Sequence, residues 1–166
     1  MNHHAEAGPD RLIAMPEIRL RPATAADSEF CYRLHRAAMG CYVEAIWGWD
    51  ETEQRGYHER GFDPAGTRIV VVDGRDCGSL SVEYRPAEIY LGRIELQPNR
   101  QGRGIGTRLI RQLLAEAAAR RQPLVLDVLT VNRRAYALYR RLGFTEVARH
   151  GKDGIRIRMR ALPPPA

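Results

Sequence analysis

The sequence predicts an α/β fold, more fully an α+β mixed sheet with helices on both faces. Three observations lead there. The β-branched run Thr67–Val72 and the run Asp76–Tyr84 flank Asp73-Gly74, a hairpin signal, so the middle of the chain begins as an antiparallel meander. A strongly periodic helix from about Gly104 to Arg120 leads into the short apolar run Leu124–Leu129, which makes a crossover βαβ unit. Two closing runs, Phe144–Arg149 and Ile155–Met159, face each other across Lys152-Asp153-Gly154 as a final hairpin.

In order along the chain, Ile18–Arg21 alternates and reads as the first strand, which Pro22 stops. Thr24 and Asp27 suit a helix start, and Phe30, Leu34, Ala37 and Ala38 recur at helical spacing. Ile46-Trp47-Gly48-Trp49 breaks that helix, and Asp50 opens a second, more polar one running to about Glu59. Phe62–Gly66 is a loop of turn formers. After the hairpin, Arg85-Pro86-Ala87 turns the chain into a fourth strand, Glu88–Leu96, which Pro98 ends. The next helix gathers Ile105, Leu109, Ile110, Leu113, Leu114, Ala117 and Ala118 on one face. Asn132 starts the last helix and Gly143 terminates it. The predicted order is β-α-α-β-β-β-α-β-α-β-β.

With 166 residues, 44% of them hydrophobic and 28% charged, the chain is long enough for one domain with its own core. Residues 1–16, polar and irregular with Gly8, Pro9 and Pro16, read as a loose tail in which Met15 is a candidate start. Residues 17–161 read as the domain, and 162–166, with Pro163–Pro165, as a frayed end. No apolar run approaches the ~20 residues of a membrane span, and the N-terminus lacks a basic-then-apolar signal layout. Cys31, Cys41 and Cys77 are dispersed with no C-x-x-C pair, which argues against a disulfide framework or zinc site and makes a reducing cytoplasm the expected home. His35, His58 and His150 have no ligand spacing, so no metal is expected.

The formal net charge is +6, and Lys152 is the only lysine. Arginine forks suit planar oxyanions such as phosphate and carboxylate. The most informative segment is Gln101-Gly102-Arg103-Gly104-Ile105-Gly106-Thr107. Its alternate glycines let backbone N–H groups crowd round a ligand, and the helix that follows points its unpaired N–H groups at the same place. The pair forms an anion nest suited to a pyrophosphate. From Leu96 to Ala115 there is no Asp or Glu, while Arg100, Arg103, Arg108 and Arg111 are present. Cations at a helix N-terminus oppose the macrodipole by a few tenths to ~1 kcal/mol each, an arrangement that makes sense if a polyanion binds there. A solvated arginine face on an ordinary helix is the alternative. The dinucleotide fingerprint fails because Leu109 falls where a small residue is needed, and the P-loop pattern is absent. A nucleic-acid-binding domain is disfavoured, since no RNP-like motif or aromatic interleaving accompanies the arginines.

Gln101-Gly102-Arg103-Gly104-Ile105-Gly106 resembles the Q/R-x-x-G-x-G/A acetyl-CoA signature of the GNAT superfamily. Further on, Asn132, Ala135, Leu138-Tyr139 and Gly143-Phe144 match its second signature, N-x-x-A-x-x-L-Y-x-x-x-G-F. The opening Ile18–Ala23 with Asp27 is also similar, and the resemblance covers roughly residues 17–160. It implies a central mixed sheet whose fourth and fifth strands run parallel and splay apart, with the pantetheine arm of acetyl-CoA in the gap, paired to the fourth strand at Ile94 and Leu96. It further implies a soluble N-acetyltransferase acting on a small-molecule or protein amine, with a homodimer open. A non-catalytic acyl-CoA-binding module on the same fold is the alternative.

Transfer from a thioester to an amine requires a neutral amine, a stabilised oxyanion and a protonated leaving thiolate. A free thiol titrates near 8.5 and a lysine-like amine near 10.4, so both proton transfers benefit from help. The resemblance assigns Tyr139 as the thiolate's acid; the alternative is a packing tyrosine, since Ala135, Leu138, Tyr139 and Leu142 share one helix face. Asn132 is expected to contact the pantetheine arm while also capping its helix. Glu95, beside the expected thioester position, is a candidate base, or alternatively an ion-pair partner of Arg93. Glu83 and Tyr90 are alternatives. With Trp47 and Trp49 they are also candidate contacts for the acceptor; aromatics beside Asp50 and Glu51 suit a cationic amine, though tryptophans at such places also serve as packing.

Overall fold

The structure is a computed structural model that describes residues 15–166. Most of the stretch read as a tail, 1–14, lies outside the described residues. Seven strands, β1 (Ile18–Pro22), β2 (Thr67–Val72), β3 (Arg75–Tyr84), β4 (Ile89–Leu96), β5 (Leu124–Leu129), β6 (Thr145–His150) and β7 (Arg156–Ala161), form one sheet in the order β1-β2-β3-β4-β5-β7-β6. The helices are α1 (Ser28–Trp47), α2 (Glu51–Gly61), α3 (Ile105–Ala119) and α4 (Arg133–Arg141). Each predicted element is present in the predicted order, with ends moved by a few residues. A 3₁₀ turn, Ala25–Asp27, carries the capping box between Thr24 and Asp27, so α1 begins later than those start residues suggest.

Alternation along β2 divides the core. Val70 and Val72 belong to the large cluster that α3 and α4 cover, which includes Leu109, Ile110, Leu113, Tyr139 and Phe144. Ile69 and Val71 point to the other face and pack with Cys31 and Phe30 of α1. The buried cysteines Cys31 and Cys77 are free. No helix among the described residues is long and apolar enough to cross a membrane.

Two irregularities of β4 make the site. First, Ser81 pairs with Arg93 and Val82 with Leu91, so Gly92 is an extra residue, a β-bulge. Before it Ile89 and Leu91 face the large core, and after it Ile94 and Leu96 do. The bulge thereby turns Arg93 and Glu95 toward α1. Second, β4 runs parallel to β5 only through Ile89↔Leu124, Tyr90↔Val125 and Leu91↔Leu126. Beyond Leu91 the strands part, which is the expected splay.

Gly78 holds β3 against this part of β4. A Cβ there would lie 2.5 Å from the Glu95 carbonyl oxygen and 2.7 Å from Leu96 Cδ2. The first is backbone and cannot swing aside. Gly78→Ala should lower unfolding free energy by about 1–3 kcal/mol, as overpacking does. Urea denaturation that leaves the midpoint unchanged would refute this close approach.

Candidate active site

The glycine turn lies at the open end of the β4–β5 gap. Gly102 and Gly104 have φ of +71° and +80°, and Gly104 is the N-cap of α3. Left-handed backbone strains any residue with a Cβ. Among the described residues, an added Cβ at Gly104 or Gly106 would meet nothing within 4 Å beyond its own chain neighbours, so glycine keeps clear the space in front of the α3 N-terminus. The first turn of α3 has no acidic residue, and its unpaired N–H groups face that space. Gln101 fixes the turn to β4 by donating from Nε2 to the Leu96 carbonyl at 3.0 Å. These elements and α4 enclose a cleft of about 370 Å³, lined among others by Leu96, Gly102, Gly106, Thr107, Arg134 and Arg141.

The sequence-level cations are redistributed. Arg108 donates to the Pro16 carbonyl at 2.8 Å rather than facing the nest. Arg103 is exposed and does not line the cleft, while the side chain of Ile105 is buried in the core and leaves only its backbone to the nest. Arg134 and Arg141, from the second signature helix, supply cations that the loop composition did not reveal.

A second cleft of about 750 Å³ lies between α1, α2 and the splayed strands, with His35, Trp47, Glu53, Tyr57, Arg93 and Arg156 on its walls. The two clefts share Met39, Ile94, Glu95, Asn132, Ala135 and Tyr139. Asn132 Oδ1 accepts from Ala135 N at 3.2 Å, the expected cap, and its Nδ2 donates to no described residue. Tyr139 is buried against Phe144, with ring centroids 5.7 Å apart. Burial pushes its phenol up to about 12. Its hydroxyl has no hydrogen-bond partner among the described residues, yet it is not sealed in the core.

Glu95 is buried on the shared wall. Its Oε2 lies 2.6 Å from His35 Nδ1, and its Oε1 lies 3.4 Å from Arg93 Nε. Glu95 thus pairs with Arg93, one of the two readings of it, and it also stands on the wall of both clefts. His35 has no signal in ligand spacing, because its partner is far away in sequence. A helical face of α1 carrying His35, Met39 and Tyr42 toward one side was the available clue.

The other acceptor candidates separate. Trp47, half exposed, lines the larger cleft, with Arg156 stacked 5.8 Å from its ring centre. Trp49 sits behind His35, with Nε1 donating to Glu51 at 3.0 Å, and lines neither cleft. Glu83 is exposed, pairs with Arg85 at 2.8 Å and lines neither cleft. Tyr90 also stays outside, donating to Asp127 Oδ2 at 2.9 Å. Burial and then that bond push the Tyr90 phenol up to about 12. Burial works to raise the Asp127 carboxyl, but bonds from Arg158, His150 and Tyr90 outweigh it and hold the group down to about 2. Asp127 is thus a saturated anion in the wall of the larger cleft.

Residues 28–144 match the model of the acetyltransferase (GNAT) family. The chain belongs to that family. This GNAT chain thus falls in a family of acetyltransferases. It is similar to the N-alpha-acetyltransferase RimI of Mycobacterium tuberculosis, 47% identical over 62 residues, which are 37% of this chain and 38% of that protein. The match thus spans well under half of that relative's length. Among solved structures, the PaiA N-acetyltransferase of Thermoplasma acidophilum in complex with coenzyme A superposes with a TM-score of 0.71 at 15% identity, over 88% of this chain and 99% of that one. The ribosomal-protein-S18-alanine N-acetyltransferase of Escherichia coli gives 0.64 at 21% identity, over 90% and 96%. At these identities the superpositions speak for the fold. The residues present fit a coenzyme A thioester: the nest glycines clear a path to the α3 N-terminus, and among the described residues β4 beyond Leu91 has no strand partner on its β5 side and Asn132 Nδ2 has no acceptor.

Proposed function

We propose that this GNAT protein acetylates a primary amine, with the coenzyme in the smaller cleft and the amine entering through the larger one. The observation that carries this reading is the shared wall, where Tyr139 and Glu95 stand at the junction of an anion nest and a roomy second cleft. Bound there, acetyl-CoA supplies an activated acyl group and a thiolate leaving group. The α3 N-terminus, Gly104, Gly106 and Thr107 would hold the diphosphate, and Arg134 and Arg141 would add charge-assisted bonds. Ile94, Leu96 and Asn132 would bind the arm. Tyr139 holds a proton in an apolar setting, ready for a thiolate. Glu95 and His35, bonded to each other, form an acid–base pair on the acceptor side, one member of which takes the amine's proton.

The larger cleft admits more than a small amine, and relatives are named for acetylating protein N-termini, so a peptide α-amine is the first acceptor to try. The test mixes the protein with acetyl-CoA and a panel of short peptides, polyamines and amino acids while free thiol is followed. Amine-dependent thiol release, fastest with a peptide α-amine, is the expected result. Binding of acetyl-CoA with no release for any amine would favour the non-catalytic module instead.

A further inference from the structure

His35 lies on α1 with its ring against β4. Its Nδ1 is 2.6 Å from Glu95 Oε2. A carboxylate accepts and does not donate, so Nδ1 carries a hydrogen, and in the neutral ring Nε2 then keeps its lone pair. Among the described residues Nε2 has no hydrogen-bond partner and is not sealed from solvent. The His35 side chain is 22% exposed and opens on the larger cleft, whereas that of Glu95 is 3% exposed. Glu95 Oε1 is buried, and among the described residues it has no hydrogen bond and Arg93 Nε lies within ion-pair range. An amine arriving through the larger cleft therefore meets the imidazole before it can reach the carboxylate. Trp49, its ring centroid 6.3 Å from that of His35 and its Nε1 tied to Glu51, braces the imidazole from behind.

We infer that His35 Nε2 is the atom that takes the proton from the acceptor nitrogen, and that Glu95 is a positioning residue that fixes the tautomer. The inference rests on the acetyltransfer reading above. The nitrogen's lone pair forms the new C–N bond at the thioester carbonyl, the N–H bonding pair stays on nitrogen as its proton leaves, and the C–S bond then breaks with its pair leaving on the thiolate sulfur. The proton passes to Nε2 and from there to solvent, and Glu95 keeps its charge throughout.

Two variants separate this role from a structural one. Asparagine can place a donor where Nδ1 stands but offers no acceptor at Nε2; alanine removes both. In His35→Asn and His35→Ala, the melting-temperature gain with acetyl-CoA and the KM for the amine should stay within about twofold, while kcat falls roughly 100-fold or more. Added imidazole should restore part of the kcat of His35→Ala. In the ligand-free protein, nitrogen NMR of the ring in mildly alkaline buffer should show Nδ1–H with a bare Nε2, and Glu95→Gln should move it toward the Nε2–H form. Native kcat in His35→Asn, or a loss confined to KM, would overturn the inference. So would a ring found protonated at Nε2 in the native protein, with no turnover measured at all. If the native protein acetylates no amine, the acetyltransfer reading fails instead, and the tautomer spectrum still decides whether His35 is built as a base.

Discussion

Gly104→Glu should abolish the thermal stabilisation that acetyl-CoA gives the native protein. A ligand at 100 times its Kd stabilises the folded state by about 2.7 kcal/mol, which for a domain of this size raises the melting temperature by roughly 5–10 °C. Gly104 is the N-cap of α3, and a side chain there projects into space that no described residue fills. A carboxylate in that space satisfies the same N–H groups that a diphosphate needs and repels its charge. The variant also forces a residue with a Cβ to φ +80°, which costs about 1–2 kcal/mol without any ligand. Gly106→Ala removes this ambiguity. Gly106 lies inside α3 at ordinary helical backbone, so alanine should raise the stability of the free protein by about 0.5–1 kcal/mol. Its methyl nevertheless enters the cleft, and the gain with acetyl-CoA should shrink. Opposite signs in the free and loaded protein cannot come from a folding defect. A full acetyl-CoA shift in Gly104→Glu would remove the diphosphate from the α3 N-terminus.

The sequence made this nest legible because its chemistry is local: alternate glycines, then a helix. The hairpin at Asp73-Gly74, the apolar face of α3 and the cap at Asn132 were legible for the same reason, since each is set by neighbours within a turn or two. What depends on pairing across the sheet was not. The bulge at Gly92 exists only in register with Ser81 and Val82, and it decides which face Glu95 occupies. The His35–Glu95 contact joins residues 60 apart in sequence. Arg108 counts as a nest cation in composition but reaches back to Pro16 once α3 is docked. Trp47 and Trp49 are indistinguishable by type. Gly48, at φ +76°, ends α1 between them and sends one to the cleft and the other behind His35.

Tyr139→Phe should leave acetyl-CoA binding and the amine KM close to native while lowering kcat by about 10²–10⁴-fold, the usual span for a lost general acid. The hydroxyl has no hydrogen-bond partner among the described residues, and the ring's packing against Phe144 is retained in phenylalanine. Removing it orphans no partner, so folding stability should hold or rise slightly, whereas removing a structural hydroxyl would lower it. Burial pushes the phenol up to about 12, so it stays protonated wherever amines are acetylated. Tyr139 should therefore add no alkaline limb to the pH profile of kcat below that value. Such a phenol is a weak acid toward an ordinary thiol near 8.5, but the same apolar wall disfavours a thiolate and raises its proton affinity too. That shared desolvation narrows the gap that would otherwise make transfer uphill. If solvent protonates the thiolate instead, Tyr139→Phe will turn over at the native rate, and the tyrosine is a core residue alone.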